Sequence, residues 1–162
     1  MNVTESGLTE ARMPNPAMVL PGAMPAMQAL MTATAEGGVS QTTLGLCHLR
    51  ASQINGCHLC VDGGICYGRS AGESDERLFA IAGWRTASCF TDAERAALAL
   101  TEAATRISDR GDAVSDEIWN EAARHYDEKA LADLVLNIAL INFWNRVNVT
   151  IRQVSGVMPK AA

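Results

Sequence analysis

The sequence predicts an all-α protein, and three observations point to that fold class. Hydrophobic residues make up 48% of the 162 residues and aromatic residues only 5%, with Ala most abundant, a composition that suits closely packed helices better than a β-sandwich. No segment of useful length alternates apolar and polar residues as a half-buried strand does. Thr91 followed by Glu94 has the form of a capping box, which marks the start of a helix.

The first half of the chain is expected to contain a flexible arm and three helices. Residues 1–16 are polar and interrupted by proline, which is typical of a flexible N-terminal arm. The expected helices run from Ala26 to Ala35 with Pro25 in the first turn, from a cap at Ser40 or Thr42 to about Gln53, and from Cys57 to about Ala71.

The second half is expected to contain four further helices and a short tail. They run from Asp75 to Trp84, from Asp92 to about Ser108, from Asp116 to Tyr126 and from Glu128 to about Val154, and the last two are expected to be capped by Ser115 and Asp127. Because no linker or internal repeat divides the chain, residues 17–156 are predicted to form a single helical domain, followed by a tail at 157–162.

The last helix predicts association between copies of the chain. Its apolar residues lie on nearly every side, and a helix of this kind is buried all round. They are Leu131, Leu134, Val135, Leu136, Ile138, Ala139, Leu140, Ile141 and Phe143. A chain of this size can hardly bury them alone, so we expect a homo-oligomer, although a central core helix in a monomer is the alternative. The asparagines at 137, 142, 145 and 148 would need hydrogen-bond partners if buried.

Charge and composition exclude several classes of partner. The formal net charge of −5 argues against nucleic acid, which binds basic surfaces. No apolar run reaches the roughly 18 residues of a membrane span, and Met1 to Pro14 does not resemble a signal peptide, so we expect neither. Five cysteines are an odd number, unlike a secreted disulfide framework, and they favour a cytoplasmic protein with a redox or metal role.

The strongest chemical signal is the pair Cys57 and Cys60, which opens a helix after the Asn55-Gly56 break. A helix N-terminus favours the thiolate form of a cysteine. Two thiols at this spacing can form a disulfide, which is the preferred interpretation, with no metal and no cofactor expected. The alternative is a zinc site drawn from Cys47, Cys57, His58, Cys60 and Cys66, although a second close pair of ligands is missing.

Several segments resemble one known family. Residues 50–60 read RASQINGCHLC, residues 72–78 GESDERL, residues 90–98 FTDAERAAL and residues 141–146 INFWNR. In this order they resemble the alkylhydroperoxidase D-like proteins of the carboxymuconolactone decarboxylase superfamily, over about Leu20 to Val154. The resemblance implies an all-helical homo-oligomer, commonly a trimer or hexamer, and in its redox branch a thiol-dependent peroxidase or disulfide reductase.

The resemblance also implies a role for each cysteine of the pair. Cys60 would be the attacking thiolate, and Cys57 would resolve the resulting sulfenic acid into a disulfide. The chemistry agrees, because only a thiolate attacks a peroxide well and a neighbouring thiol prevents over-oxidation. The implied partners are a small-molecule hydroperoxide, or another small substrate, and an external thiol reductant system.

The sequence departs from this family at two positions. The family's proton relay uses a Glu twelve residues before the first cysteine and a His four residues after the second, and here these positions are Gly45 and Gly64. Three explanations stay open. The first is that another side chain carries the proton instead, namely Tyr67, His58 or His48. The second is that the glycines open a repurposed pocket that binds a small ligand or acts on another substrate. The third is that the activity is lost and the oligomer is retained.

Overall fold

The fold is all-α, as the sequence predicts. The computed structural model describes residues 10–155, and among these residues it contains helices and no strand. The helices are α1 Pro16–Val19, α2 Ala23–Thr34, α3 Gln41–Ile54, α4 His58–Ser70, α5 Asp75–Ala80, α6 Asp92–Thr105, α7 Asp116–His125 and α8 Glu128–Thr150, with 3-10 turns at Ile81–Gly83 and Ile107–Asp109. Residues 1–9 of the expected arm and the expected tail at 157–162 lie outside the described residues.

The helix starts follow the predicted caps. The side chains of Ser40, Ser115 and Asp127 each accept a hydrogen bond from a backbone N–H in the first turn of α3, α7 and α8. Thr91 and Glu94 form both halves of the predicted capping box at α6.

Some helix boundaries differ from the predictions, for local reasons. The expected arm ends in the short helix α1, because Asn15 caps it and Pro16 is its first residue. Helix α2 starts at Ala23, since a proline at position 25 is tolerated in the first turn, where no N–H has a helical partner. Helix α8 ends at Thr150 rather than near Val154: Arg152 takes a φ of 53° and the N–H of Gln153 donates to the carbonyl of Asn148.

Helix α3 is the centre of the fold and packs against α4, α6 and α8. Leu46, Leu49 and Leu98 are almost fully buried between these helices. Helix α4 approaches α5 closely at Gly68, where an added Cβ would lie 2.7 Å from Leu78 Cδ2, so only glycine fits without a shift. This packing fixes α3 and α4 side by side, with the cysteine pair at the turn between them.

The last helix has a buried face and an exposed apolar face. Leu134, Ile138 and Ile141 belong to the core. A second set of apolar side chains on the same helix is exposed; it consists of Val135, Leu136, Phe143 and Val149. The chain therefore does not bury this helix on all sides by itself, and oligomer formation stays a prediction.

The asparagines of α8 have the hydrogen-bond partners that the sequence required. Asn137 donates to Asp133, Asn142 to Thr105, Asn145 to Ser52, and Asn148 to the sulfur of Cys60. Within residues 10–155, no helix is both long and apolar enough to cross a membrane.

Candidate active site around the Cys57–Cys60 pair

The turn between α3 and α4 presents the two cysteines. Gly56 has a φ of 65°, a conformation that glycine adopts without strain, and it reverses the chain after Asn55. The N–H of Cys57 then donates to the carbonyl of Ser52 at 3.1 Å, and Cys57 becomes the N-cap residue of α4. Cys60 follows in the first turn of that helix, and the two sulfurs form a disulfide with the Cα atoms 5.3 Å apart.

A buried amide network holds this turn against α8. Asn55 Nδ2 donates to Asn142 Oδ1 at 3.0 Å and to Asn145 Oδ1 at 2.9 Å. Asn145, which is fully buried, donates in turn to Ser52 Oγ at 3.1 Å. Because every member of the network has a partner, the turn is fixed from both helices.

A cavity of about 550 Å³ opens beside the cysteine pair, between α2, α3, α4 and α8. Cys60 lines it and Cys57 does not, although both side chains are almost fully buried. Much of the wall is apolar, from Leu44, Leu59 and Trp144 among others. A cavity of this size and polarity is typical of a site for a small organic molecule, and only one of the two sulfurs faces it.

The side chain of His48 lies against Gly64, the position where the sequence lacks the histidine of the proton relay. A Cβ at residue 64 would be 3.3 Å from His48 Cδ2, so the imidazole from α3 fills the space next to the glycine of α4. The ring lines the cavity and contacts the backbone of Cys60. Burial lowers the pKa of His48, and the Cys60 backbone contact opposes this only in part. The imidazole is therefore neutral at pH 7 and can accept a proton.

Tyr67 lies against Gly45, the position where the sequence lacks the glutamate of the relay. Here the ring belongs to α4 and the glycine to α3. Its ring atoms Cδ1 and Cε1 would lie 3.6 Å from a Cβ at residue 45, and its hydroxyl donates to Gln41 at 3.2 Å. The ring is half-exposed at the wall of the same cavity. Each glycine on one helix is thus next to a polar ring from the other helix.

His58 points away from the cavity. It does not line the cavity, its side chain is largely exposed, and its Nδ1 lies 3.2 Å from Asp62 and 2.6 Å from Ser155 Oγ. Of the sequence candidates, Cys60, His48 and Tyr67 therefore meet at the cavity, Cys57 lies behind it, and His58 lies outside.

Asn148 belongs to the site as well, and sequence reasoning assigned it no chemical role. Its Nδ2 donates to Cys60 Sγ at 3.4 Å, and it lines the cavity. The sequence signal was its place among the asparagines of the apolar last helix, but no spacing rule connects residues 60 and 148.

The remaining cysteines do not form a metal site with the pair. Cys47 is buried, with a pKa raised to about 12 by burial, while Cys66 is exposed and Cys89 half-buried. Across the part of the chain that the structure describes, no group of three or more His, Cys, Asp or Glu side chains is arranged to hold a metal ion. The zinc alternative therefore has no site among those residues.

Comparisons with known proteins agree with this architecture. The model of the carboxymuconolactone decarboxylase family matches residues 21–103. The uncharacterized protein YdfG of Bacillus subtilis (strain 168) is 34% identical over 131 residues, which cover 81% of this chain and 88% of that protein.

Two solved structures share the fold. A protein of unknown function from Agrobacterium tumefaciens, described as a candidate antioxidant defence protein AhpD, superposes with a TM-score of 0.83 at 31% identity, over 92% of this chain and all of that chain (100%). The debrominase Bmp8 superposes with a TM-score of 0.74 at 22% identity, over 87% of this chain and 75% of that chain, and this likeness concerns the fold alone. The chain therefore belongs to the carboxymuconolactone decarboxylase family and is an AhpD-like protein.

Proposed function

We propose that the protein is a thiol-dependent peroxidase that uses Cys60 and Cys57. The observation that carries the proposal is that Cys60 lines an organic-sized cavity, next to a neutral histidine, with a second cysteine within disulfide distance. The disulfide between Cys57 and Cys60 is the oxidised end state of such a cycle.

The cycle balances in three steps. The Cys60 thiolate attacks the distal oxygen of a hydroperoxide and the O–O bond breaks, which gives a sulfenic acid and, after protonation, an alcohol. The Cys57 thiol then attacks the Cys60 sulfur, so that water leaves and the disulfide forms. An external dithiol reduces that disulfide by exchange and becomes a disulfide itself.

His48 is the proposed proton carrier in this cycle. As a neutral imidazole beside Cys60, it accepts the thiol proton and returns it to the leaving alkoxide. Its position against Gly64 explains how the chain does without a histidine on α4. Tyr67, next to Gly45, is proposed to exchange its hydrogen bond to Gln41 for one that it donates to the bound substrate.

The proposal extends to the assembly and its setting. The exposed apolar face of α8 supports a homo-oligomer. We propose a trimer or hexamer of the domain 17–156, the assembly that the family resemblance implies. The free thiols at Cys47, Cys66 and Cys89 are in keeping with a reducing compartment such as the cytoplasm.

Peroxide turnover tests the role of the cysteine pair. Consumption of cumene hydroperoxide is measured with dithiothreitol as reductant for the wild type, Cys60→Ser and Cys66→Ser. We expect turnover in the wild type and in Cys66→Ser, which changes an exposed cysteine outside the cavity. We expect none in Cys60→Ser, and equal turnover in all three proteins would overturn the proposal.

A second pair of variants tests the proton carrier. His48→Gln is expected to slow turnover by about 10²-fold or more, in line with the loss of a general base. His58→Gln is the matched control, because that ring lies outside the cavity, and we expect nearly full activity. Near-full activity in His48→Gln together with slow turnover in His58→Gln would show that His48 is not the proton carrier.

A second candidate function is the binding of a small apolar ligand, or reduction of a substrate other than a peroxide. The observation that favours it is the size of the cavity, about 550 Å³, beside Gly63 and Gly64. Native mass spectrometry of the purified protein tests it: a retained organic mass lost from a Leu59→Trp variant supports this function, and a bare polypeptide mass argues against it.

A further inference from the structure

A chain of three hydrogen bonds connects the N-terminal segment to the sulfur that faces the cavity. The backbone N–H of Ala17 donates to Asn15 Oδ1 at 3.0 Å. Asn15 Nδ2 donates to Asn148 Oδ1 at 3.4 Å, and Asn148 Nδ2 donates to Cys60 Sγ at 3.4 Å. The start of α1 is thus connected through Asn148 of α8 to the sulfur of Cys60.

The direction of this chain is set by its first donor. An asparagine amide can rotate by half a turn and exchange its oxygen and nitrogen, so its orientation has to be inferred from its partners. A backbone N–H can only donate, and Ala17 therefore fixes the oxygen of Asn15 on its own side. The nitrogen of Asn15 then faces Asn148 and holds the oxygen of that second amide. The amide nitrogen of Asn148 is left pointing at the sulfur.

We propose that Asn148 is a catalytic residue that stabilises the Cys60 thiolate by donating an N–H, and that Asn15 is a positioning residue that holds the Asn148 amide in the donating orientation. This inference rests on the proposed function, because it assigns a purpose to the thiolate that the peroxidase cycle requires. A sulfur that gains a negative charge accepts an N–H more strongly than a thiol or disulfide does. The donor is in place before the charge develops, since Asn148 is almost completely buried and held at its other end.

Other polar and titratable groups line the same cavity as Cys60, and their charge states matter for this effect. His48 and Cys47 from α3 and Tyr67 from α4 line the cavity, and the pKa values of His48 and Cys47 are shifted so that both are neutral at pH 7. Helix α8 contributes amides there, from Asn137 and Asn148. The Asp62 carboxylate lies on the outer side of α4 beside His58. Asn148 is thus a neutral donor, whose effect on the thiolate does not depend on pH.

The test is the thiolate titration of Cys60, which needs no peroxide turnover. The fully reduced protein is alkylated with iodoacetamide between pH 5 and 10, and the rate at Cys60 is followed by peptide mass spectrometry. Asn148→Ala is expected to raise the pKa of Cys60 by about one unit and to slow alkylation at pH 7 about tenfold, which is the effect of one hydrogen bond to a charged group. Asn137→Ala is the matched control on the same helix and cavity wall, since Asn137 donates to Asp133 instead.

Asn15→Ser separates the positioning role from a structural one. Serine retains an oxygen that caps α1, but it lacks the amide nitrogen that donates to Asn148. We expect an unchanged melting temperature together with a raised pKa of Cys60, by less than in Asn148→Ala. If Asn148→Ala does not fold, Asn15→Ser carries the test by itself.

Unchanged titration midpoints in Asn148→Ala and Asn15→Ser would overturn the inference. A raised midpoint in the Asn137→Ala control equal to that in Asn148→Ala would also overturn it, because the effect would then belong to the cavity wall in general. Since the readout is alkylation, a protein without peroxidase activity can still confirm the role of Asn148. A working peroxidase with unchanged midpoints would refute that role alone.

Discussion

Alanine substitutions at the adjacent glycines of α4 give opposite predictions, and the contrast tests where His48 lies. A Cβ at Gly63 meets nothing within 4 Å, whereas a Cβ at Gly64 lies 3.3 Å from His48 Cδ2 and 3.5 Å from Leu49 Cδ1. Replacing a helical glycine by alanine stabilises the fold by about 1 kcal/mol where there is room. Crowding in a packed site costs about 1–3 kcal/mol.

Gly63→Ala should therefore raise the free energy of unfolding by about 1 kcal/mol, which corresponds to about 2–4 °C in melting temperature for a chain of this length. Gly64→Ala should gain nothing or lose up to about 2 kcal/mol, since the crowding offsets the helix propensity. The assay is thermal unfolding of the oxidised proteins by circular dichroism. A third variant, which combines Gly64→Ala with His48→Ala, should be about 1 kcal/mol more stable than the summed effects of the two single substitutions predict, because the crowding is removed. Equal stabilisation by both single alanines would refute the contact between His48 and Gly64.

Three further predictions concern stability and thiol reactivity. Burial by itself raises the pKa of Glu102, but hydrogen bonds from Arg85, Trp84 and Arg50 lower it below the usual value. The stability that the ionised carboxylate gives to the fold is therefore present above about pH 4.5 and is lost as the pH falls. Glu102→Gln should lower the free energy of unfolding in urea by about 1–3 kcal/mol at pH 7 and make the stability of the fold less sensitive to acid. A loss of the same size at pH 7 and pH 3 would contradict this. Asn145→Ala removes one of the two bonds that Asn55 donates and the bond that Ser52 Oγ accepts, and should lower the free energy of unfolding by about 1–3 kcal/mol in the same assay, whereas a neutral effect would mean that the network is not needed. In the native reduced protein, Cys47 should resist alkylation at pH 8 while Cys66 reacts, because burial raises the pKa of Cys47 to about 12; comparable rates would show that Cys47 is accessible.

The fold was predictable because its signals are local. Side-chain caps at Ser40, Thr91, Ser115 and Asp127 depend on residues within one turn, and the structure confirms each of them. The ends of helices were less predictable. The extent of α8 depends on the left-handed conformation of Arg152, a residue type with no preference for it.

The site was predictable only along single helices. The cysteine pair and the two missing relay residues follow from spacing within α3 and α4. The contact of His48 with Gly64 and that of Tyr67 with Gly45 depend on how the two helices face each other, which no spacing rule determines. The bond from Asn148 to Cys60 joins residues 88 positions apart and needs the packing of α8 as well. His58, adjacent to Cys57 in sequence, points outward because neighbouring residues of a helix face different directions.

The central claim is that Cys60 is the sulfur that meets the substrate, and trapping of the sulfenic acid tests it most directly. Reduced Cys57→Ser, which cannot form the disulfide, is treated with one equivalent of cumene hydroperoxide in the presence of dimedone, and the adduct is located by peptide mass spectrometry. We expect the adduct on Cys60, which lines the cavity, and little on the exposed Cys66. An adduct on Cys66 with Cys60 unmodified would contradict it.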